Sequence, residues 1–67
     1  MRISYNKLWK LLIDKNMTKM ELKDAASISA ASIAKLGKGT NITTAILLKI
    51  CMTLNCKIED ILETIED

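Results

Sequence analysis

Two helix starts lie close together near the middle of this 67-residue chain, and they constrain its fold more than any other feature. Thr18 and Glu21 match a capping box, in which the Thr18 hydroxyl accepts a hydrogen bond from the Glu21 amide and the Glu21 carboxylate accepts one from the Thr18 amide. The helix that begins there is short and ends near Ala26, because Ser29 can cap another helix shortly afterwards. The sequence therefore predicts two short helices joined by a tight turn at residues 27–28.

Caps and apolar periodicity extend this helical pattern to the rest of the chain. The second central helix begins at Ala30 and runs to about Leu36. Gly37 and Gly39 stop it. A first helix is predicted from Tyr5 to about Lys15 after a cap at Ser4, and the side chains that face the core are Tyr5, Leu8, Trp9 and Leu12. A fourth helix is predicted from Thr44 to Leu54 after a cap at Thr43. A fifth helix is predicted from about Ile58, and the apolar residues on one face of it are Ile58, Ile61, Leu62 and Ile65. No segment alternates as a strand does, so we expect a compact all-α domain of five helices spanning residues 1–67.

The length and composition allow one folded domain and exclude several other classes of protein. A chain of this size buries only about 60% of its unfolded surface, so every element must share a single core. Apolar residues make up 49% of the chain, and there are two Gly and no Pro, which excludes a disordered or collagen-like segment. No apolar run is longer than four residues, which is far too short to cross a membrane, and we expect a cytoplasmic protein.

The sequence offers no group of side chains suited to catalysis or to metal binding. It contains no histidine, and Cys51 and Cys56 lack the spacing of a zinc or redox motif. We expect both cysteines to be reduced and to pack as small apolar residues. No nucleophile stands in a pattern that would pair it with a base, so we expect a protein that is not an enzyme and needs no cofactor.

Charge is distributed unevenly along the chain. Residues 1–40 hold eight basic and three acidic side chains, for a net charge of +5. Residues 41–67 hold two basic and five acidic side chains, for a net charge of −3. This asymmetry suits a protein with one side that faces a polyanion, although solvated helix faces would explain the charges nearly as well.

The stretch TKMELKDAASISAASIAKLGKG resembles the phage-repressor-like helix-turn-helix family, the xenobiotic-response-element type of transcriptional regulator. In that motif two short helices are joined by a turn of about three or four residues, and the second helix enters the major groove of DNA. The matching features are Leu22 and Ala26 in the first helix, Ile28 and Ser29 in the turn, Ile33 and Leu36 in the second helix, and Gly39 after it. The later stretch LLKICMTLNCKIEDIL also resembles the last helices of that family. The resemblance implies a lambda-repressor-like domain of five helices.

The first residues of the chain resemble a smaller group within that family. RISYNKLWKLLIDKNM is similar to the small single-domain regulators found in mobile-element and glycopeptide (vancomycin) resistance gene clusters of Gram-positive bacteria. One departure from the family lies in the turn, where Ser27 stands at a position that is often Gly because the backbone there can need a positive φ. We expect Ser27 to adopt that conformation at some cost in free energy.

The resemblance also implies which residues contact DNA. A helix that enters the major groove must be thin and must not repel phosphate, which agrees with the small and acid-free second helix. The positions that would face base edges are Ser29, Ala30, Ala31, Ser32 and Lys35. The positions that would contact phosphates are Thr18, Lys19, Lys38, Thr40 and Asn41. The alternative is that the alanines are helix formers on a solvent face and that the lysines are ordinary solvated side chains.

These observations favour a small transcriptional regulator that binds double-stranded DNA in a sequence-directed way and acts by occupying a promoter. We expect such a regulator to need no small-molecule ligand and no membrane, and to be a homodimer at least on DNA. The alternative is a protein-interaction module, similar to an antitoxin or antirepressor, that keeps the fold without specific DNA reading. Ala30 and Ala31 favour this alternative slightly, because relatives usually place longer polar side chains there, whereas the basic N-terminal part opposes it.

Overall fold

The computed structural model describes residues 1–66 of the chain. Within them the chain forms four α-helices, one short 3-10 turn and a two-stranded antiparallel sheet. In chain order the elements are β1 (Arg2–Ser4), α1 (Asn6–Asp14), α2 (Lys19–Ala26), α3 (Ala30–Lys38), α4 (Thr44–Leu54), the 3-10 turn (Ile58–Asp60) and β2 (Glu63–Ile65). The predicted all-α class is therefore correct for the helices and misses the sheet.

Three of the predicted helix caps are confirmed. The Thr18 hydroxyl accepts a hydrogen bond from the Glu21 backbone N–H at 3.1 Å, and the Glu21 carboxylate accepts one from the Thr18 backbone N–H at 3.0 Å. The Ser29 and Thr43 hydroxyls each accept a hydrogen bond from the backbone N–H three residues later, at 3.1 and 3.3 Å. A cap of this kind contributes about 1 kcal/mol to a helix, so α2, α3 and α4 begin where local chemistry favours a start.

The first helix begins one residue later than the sequence predicts. Its N-cap position is Tyr5 instead of Ser4, and the Tyr5 side chain makes no capping hydrogen bond. The Ser4 hydroxyl still accepts a hydrogen bond from the backbone N–H of Asn6 at 3.3 Å. Ser4 pairs with Glu63 as the last residue of β1, and Tyr5, with a φ of −106° and a ψ of 19°, makes the transition from strand to helix.

Residues with a left-handed backbone end three of the helices. Ser27 follows α2 with a φ of 56°, Gly39 follows α3 with a φ of 70°, and Asn55 follows α4 with a φ of 53°. The positive φ expected at Ser27 is confirmed, and a side chain is less favourable there than glycine. α3 continues through Gly37 to Lys38, so the prediction that Gly37 stops this helix is wrong and Gly39 alone does so.

We expect alanine to have opposite effects on stability at the two glycines. Gly37 lies inside α3, and a methyl group there would meet nothing nearer than the Lys19 ammonium at 4.0 Å. Gly37→Ala should therefore raise the free energy of unfolding by about 0.5–1 kcal/mol. Gly39→Ala should lower it by about 1–2 kcal/mol, because a Cβ atom is strained at positive φ. Urea unfolding of both variants beside the wild type measures these changes, and losses of similar size at the two sites would contradict the helical backbone of Gly37.

The predicted fifth helix does not form. Ile58–Asp60 makes a single 3-10 turn, and Glu63–Ile65 forms β2, which pairs antiparallel with β1. The register of the sheet places Arg2 opposite Ile65, Ile3 opposite Thr64 and Ser4 opposite Glu63. The prediction of five helices is therefore wrong for the last part of the described chain.

Backbone pairing and electrostatics together explain why this segment forms a strand. The backbone N–H and C=O groups of β1 gain partners from β2, and such groups are rarely left without hydrogen bonds in folded proteins. Thr64 and Ile65 are β-branched, and β-branched residues suit an extended backbone. A helix through the same residues would place Glu63 and Glu66 near its negative C-terminal end, where carboxylates are unfavourable.

One hydrophobic core joins the four helices to the segment after the 3-10 turn. Its fully buried large side chains are Leu8, Leu22, Leu36, Ile50 and Ile61. Around them lie Tyr5, Leu12, Ala26, Ile28, Leu47, Cys51 and Leu54. α2 packs chiefly against α4, and α3 packs against α2, so the core fixes the place of the two central helices. No helix within residues 1–66 has the length and apolar character needed to cross a membrane.

The two cysteines are free thiols, as the sequence predicts. Cys51 is buried and Cys56 is half-buried, and burial raises the pKa of the Cys56 thiol to about 11. The thiol is therefore protonated at neutral pH, which makes it a poor nucleophile and a poor metal ligand. Within residues 1–66, no three side chains of His, Cys, Asp or Glu come together as a metal site would require.

Candidate nucleic-acid interface

α2 and α3 form a helix-turn-helix around a turn of three residues, 27–29. Two backbone hydrogen bonds close the end of α2, from the Ser27 N–H to the Asp24 carbonyl at 3.3 Å and from the Ile28 N–H to the Lys23 carbonyl at 3.1 Å. Ile28 is buried and holds the turn on the core, and Ser29 then caps α3. The turn thereby fixes the direction of α3 relative to α2.

α3 buries one edge and exposes the rest of its surface. Leu36 is buried and Ile33 is half-buried against the core. The exposed side chains of the helix are Ala30, Ala31, Ala34, Lys35 and Lys38. They are methyl and ammonium groups, and α3 contains no carboxylate. Small side chains allow a helix to approach another surface closely, and ammonium groups attract phosphate, so this face suits a polyanion with a groove.

Ser32 is the one predicted base-reading residue that lies on the buried side of α3. It is 6% exposed, and its hydroxyl lies 3.0 Å from the Ser29 hydroxyl, which also accepts the Ser32 backbone N–H. The Ser32 side chain is therefore part of the helix cap. The predicted base-reading residues that stay exposed are Ser29, Ala30, Ala31 and Lys35. Ala34 is exposed as well and is missing from the prediction, although its i, i+4 spacing from Ala30 places both on one face.

The start of α2 lies beside both α1 and the end of α3. Thr18 and Lys19, which are predicted to contact phosphates, are both exposed. The Lys19 ammonium lies 4.4 Å from the centroid of the Trp9 ring and 4.0 Å from the place that a Cβ atom on Gly37 would occupy. Trp9 is half-buried, whereas its spacing from Tyr5 predicts a core residue. No sequence signal links Trp9 to Lys19, because the two lie on different helices.

Hydrogen bonds hold the loop that follows α3. The Thr40 hydroxyl and the Thr40 backbone N–H both donate to the Lys35 carbonyl, at 3.1 and 3.0 Å. The buried Tyr5 hydroxyl donates to the Thr40 carbonyl at 3.4 Å, and burial raises the pKa of Tyr5 above its usual value, so this hydroxyl keeps its proton. Lys38 and Asn41 are exposed on either side of Thr40. The predicted phosphate-contacting residues of this loop are thus presented by an ordered segment.

The lysines of the candidate interface face no neutralising carboxylate. Within residues 1–66, no carboxylate oxygen lies within 4.0 Å of the Lys19, Lys35 or Lys38 ammonium, whereas Lys23 pairs with Asp24 at 3.5 Å. Within residues 1–66, the acidic residues of the second half of the chain lie in the 3-10 turn, in β2 and after it, at Glu59, Asp60, Glu63 and Glu66. The positive charge of the interface is therefore available to a polyanion.

Comparisons with known proteins agree with this geometry. Residues 7–67 match the Cro/C1-type helix-turn-helix DNA-binding domain. A crystal structure of the transcriptional regulator VanUg is similar, with a TM-score of 0.94 and 52% sequence identity, covering 98% of this chain and 88% of that chain. No curated protein sequence matches the chain. The resemblance inferred from the residues is confirmed, and the chain belongs to the family of Cro/C1-type helix-turn-helix DNA-binding domains.

Proposed function

We propose that this chain is a transcriptional regulator that binds duplex DNA in a sequence-directed way with α3 in the major groove. The observation that carries the proposal is the exposed face of α3, which presents methyl and ammonium groups and no carboxylate. The similarity of the chain to VanUg, a transcriptional regulator, supports the same function. The protein then acts in the cytoplasm by occupying a promoter, where it blocks or assists polymerase.

Base contacts come from Ser29, which caps α3, and from exposed residues of the helix itself. Ala30 and Ala31 offer only methyl contact to thymine, and Ser29 is a short hydrogen-bonding group. Ser32 contributes by holding the Ser29 hydroxyl at 3.0 Å. Lys35 is then the one long polar side chain among the proposed base-reading residues, and it can reach O6 and N7 of guanine. Direct reading is therefore sparse, and DNA shape supplies part of the specificity.

Phosphate contacts flank α3 on both sides. The Thr18 hydroxyl accepts a hydrogen bond from the Glu21 N–H, so the hydroxyl hydrogen can be donated to a phosphate. Lys19 adds a positive charge beside this hydroxyl. After α3, Lys38 and Asn41 make the contacts. The Thr40 hydroxyl and backbone N–H both donate hydrogen bonds to the Lys35 carbonyl, so the role of Thr40 is to hold this loop in place.

Selection from a pool of random duplexes tests the proposed function. We expect a defined sequence to be enriched over successive rounds. A pool that stays random while the protein remains folded would contradict sequence-directed binding. The same experiment shows whether the site is a palindrome.

We expect Lys35→Ala and Lys19→Ala to weaken DNA binding in different ways. Lys35→Ala should cost about 1–3 kcal/mol on the selected duplex and flatten the preference at one base pair of each half-site, because it removes a base contact. Lys19→Ala should weaken all duplexes alike, because it removes a contact to phosphate. Affinities for the selected duplex and for a scrambled duplex, measured at one salt concentration, separate the two effects.

Lys57→Ala is a matched control for both variants. It removes the same charge from an exposed position next to the acidic 3-10 turn, and it should leave both affinities nearly unchanged. Equal losses on the matched and scrambled duplexes for Lys35→Ala would mean that Lys35 contacts phosphate and reads no base.

We expect two copies of the chain to bind one palindromic site. Two-fold symmetry would place the two α3 helices in successive major grooves, about 34 Å apart. Sedimentation with and without the selected duplex measures the number of copies bound. A strict one-to-one complex on a palindrome would contradict this arrangement.

A further inference from the structure

We propose that Trp9 is a positioning residue for DNA binding, in which its indole ring holds the Lys19 ammonium where a phosphate of the duplex binds. This inference rests on the proposed function. The Lys19 ammonium lies 4.4 Å from the centroid of the Trp9 ring, which is within the range of a cation–π contact. Trp9 reaches this place from α1, whose buried residues are Leu8 and Leu12, and one side of the ring packs against the core.

The chemistry of the contact suits a lysine that binds an anion. Lys19 is the first residue of α2, where the helix dipole disfavours a cation, so the ammonium needs an attractive partner. A carboxylate partner would cancel the charge and would have to be displaced by phosphate. An indole ring attracts the ammonium through its quadrupole and leaves the full positive charge in place.

The position of the ammonium links the two ends of the candidate interface. It lies 4.0 Å from the place of a Cβ atom on Gly37, inside the last turn of α3. Gly37 has no side chain to occupy this space, and the next residue is Lys38, which is also proposed to contact phosphate. The indole ring therefore holds Lys19 between the start of α2 and the end of α3.

A lysine held in one place binds more tightly than one that samples many rotamers. Its flexible stem loses conformational freedom when the ammonium binds a phosphate, and this loss opposes binding. Contact with the Trp9 ring restricts the stem before DNA arrives. The energetic benefit of the Trp9 ring to DNA binding must then pass through Lys19 and disappear when Lys19 is absent.

A double-mutant cycle tests this dependence. The variants are Trp9→Leu, Lys19→Ala and the two together, and the probe is a fluorescein-labelled duplex of mixed sequence, because the effect concerns phosphate contacts. At low salt we expect Trp9→Leu to weaken binding about two- to fivefold in the wild-type background and to have no effect in the Lys19→Ala background. Trp9→Phe keeps an aromatic face and should lose less than Trp9→Leu. Circular dichroism and urea unfolding confirm that each variant is folded at the assay temperature, and a Trp9→Phe cycle replaces the Trp9→Leu cycle if that variant unfolds.

The outcomes separate this inference from the proposed function. If Trp9→Leu weakens binding equally in both backgrounds, or if it strengthens binding, the ring does not position Lys19 and the inference is overturned while DNA binding stands. If the wild-type chain binds no duplex even at low salt, the proposed function fails and the inference fails with it. If Trp9→Leu weakens binding in the wild-type background and has no effect in the Lys19→Ala background, the result supports both the inference and the proposed function.

The fluorescence of the protein gives a second test that a purely structural role would not satisfy. Trp9 is the only tryptophan, so tryptophan emission reports on the surroundings of this one ring. We expect unlabelled duplex to change the emission of the wild type and to change that of Lys19→Ala much less. An equal change in both proteins would overturn the inference.

Discussion

Raising the salt concentration from about 50 mM to about 200 mM should weaken the binding of duplex DNA roughly 10²–10³-fold. Each phosphate that a protein neutralises releases condensed counterions, and added salt opposes that release. A complex that neutralises about four to six phosphates gives a slope of log affinity against log salt near −4 to −5. The two unneutralised lysines that are proposed to contact phosphate, Lys19 and Lys38, supply the lower of these numbers when two copies bind one site. Fluorescence anisotropy of a labelled duplex over a series of salt concentrations measures the slope.

Single lysine variants show which charges produce the salt dependence. Lys19→Ala and Lys38→Ala should each make the slope less steep by about one for each copy bound, because each removes a phosphate contact. Lys57→Ala should leave the slope unchanged, since its charge lies beside the acidic 3-10 turn. If the affinity of the wild type does not change with salt, the proposed phosphate contacts are contradicted. That result would favour a protein-interaction module that keeps the same fold.

The helix-turn-helix could be predicted from the sequence because its signals are local. Thr18, Ser29 and Thr43 each form their capping bond to a backbone N–H three residues later, so the chemistry that starts each helix is visible in a short window. The left-handed turn at Ser27 is equally local, although a serine there is informative only beside a family that often has glycine. Such signals agree with the tertiary structure, and the two central helices are correct for that reason.

The sheet could not be predicted in the same way because its cause is not local. β1 and β2 lie at opposite ends of the described chain, and each is only three residues long. The apolar spacing of the later segment fits an α-helix, and nothing within it indicates a partner strand. Pairing with Arg2–Ser4 overrides that pattern, since it satisfies backbone groups that an isolated short segment would leave to water.

The candidate interface was only partly visible in the sequence for a related reason. Position along α3 indicates which residues share a face, so Ala34 could have been added to the exposed set from its spacing alone. The burial of Ser32 could have been predicted in the same way, because Ser32 lies four residues before the buried Leu36. The contact of Lys19 with Trp9 joins two helices and has no signature in the sequence around either residue.

Ile61→Ala should lower the free energy of unfolding by about 2–4 kcal/mol, whereas Ile58→Ala should lower it by less than about 1 kcal/mol. Ile61 is fully buried, and truncating it leaves a cavity in the core that the backbone of the sheet and the 3-10 turn cannot fill. Ile58 is 36% exposed, so its truncation removes less contact and leaves space that water can enter. Urea unfolding of the two variants, followed by circular dichroism, measures both losses.

The pair of isoleucines distinguishes the observed structure from the helix that the apolar spacing predicts. In that helix both side chains lie on the core face, and the two alanine variants would be destabilised by similar amounts. In the observed structure only Ile61 reaches the core, so a large difference is required. For a small domain with a total stability of about 5 kcal/mol, the loss at Ile61 removes a large part of the stability, and unfolding should begin at much lower urea than in the wild type. Equal losses at the two positions would contradict the 3-10 turn and the strand that follows it.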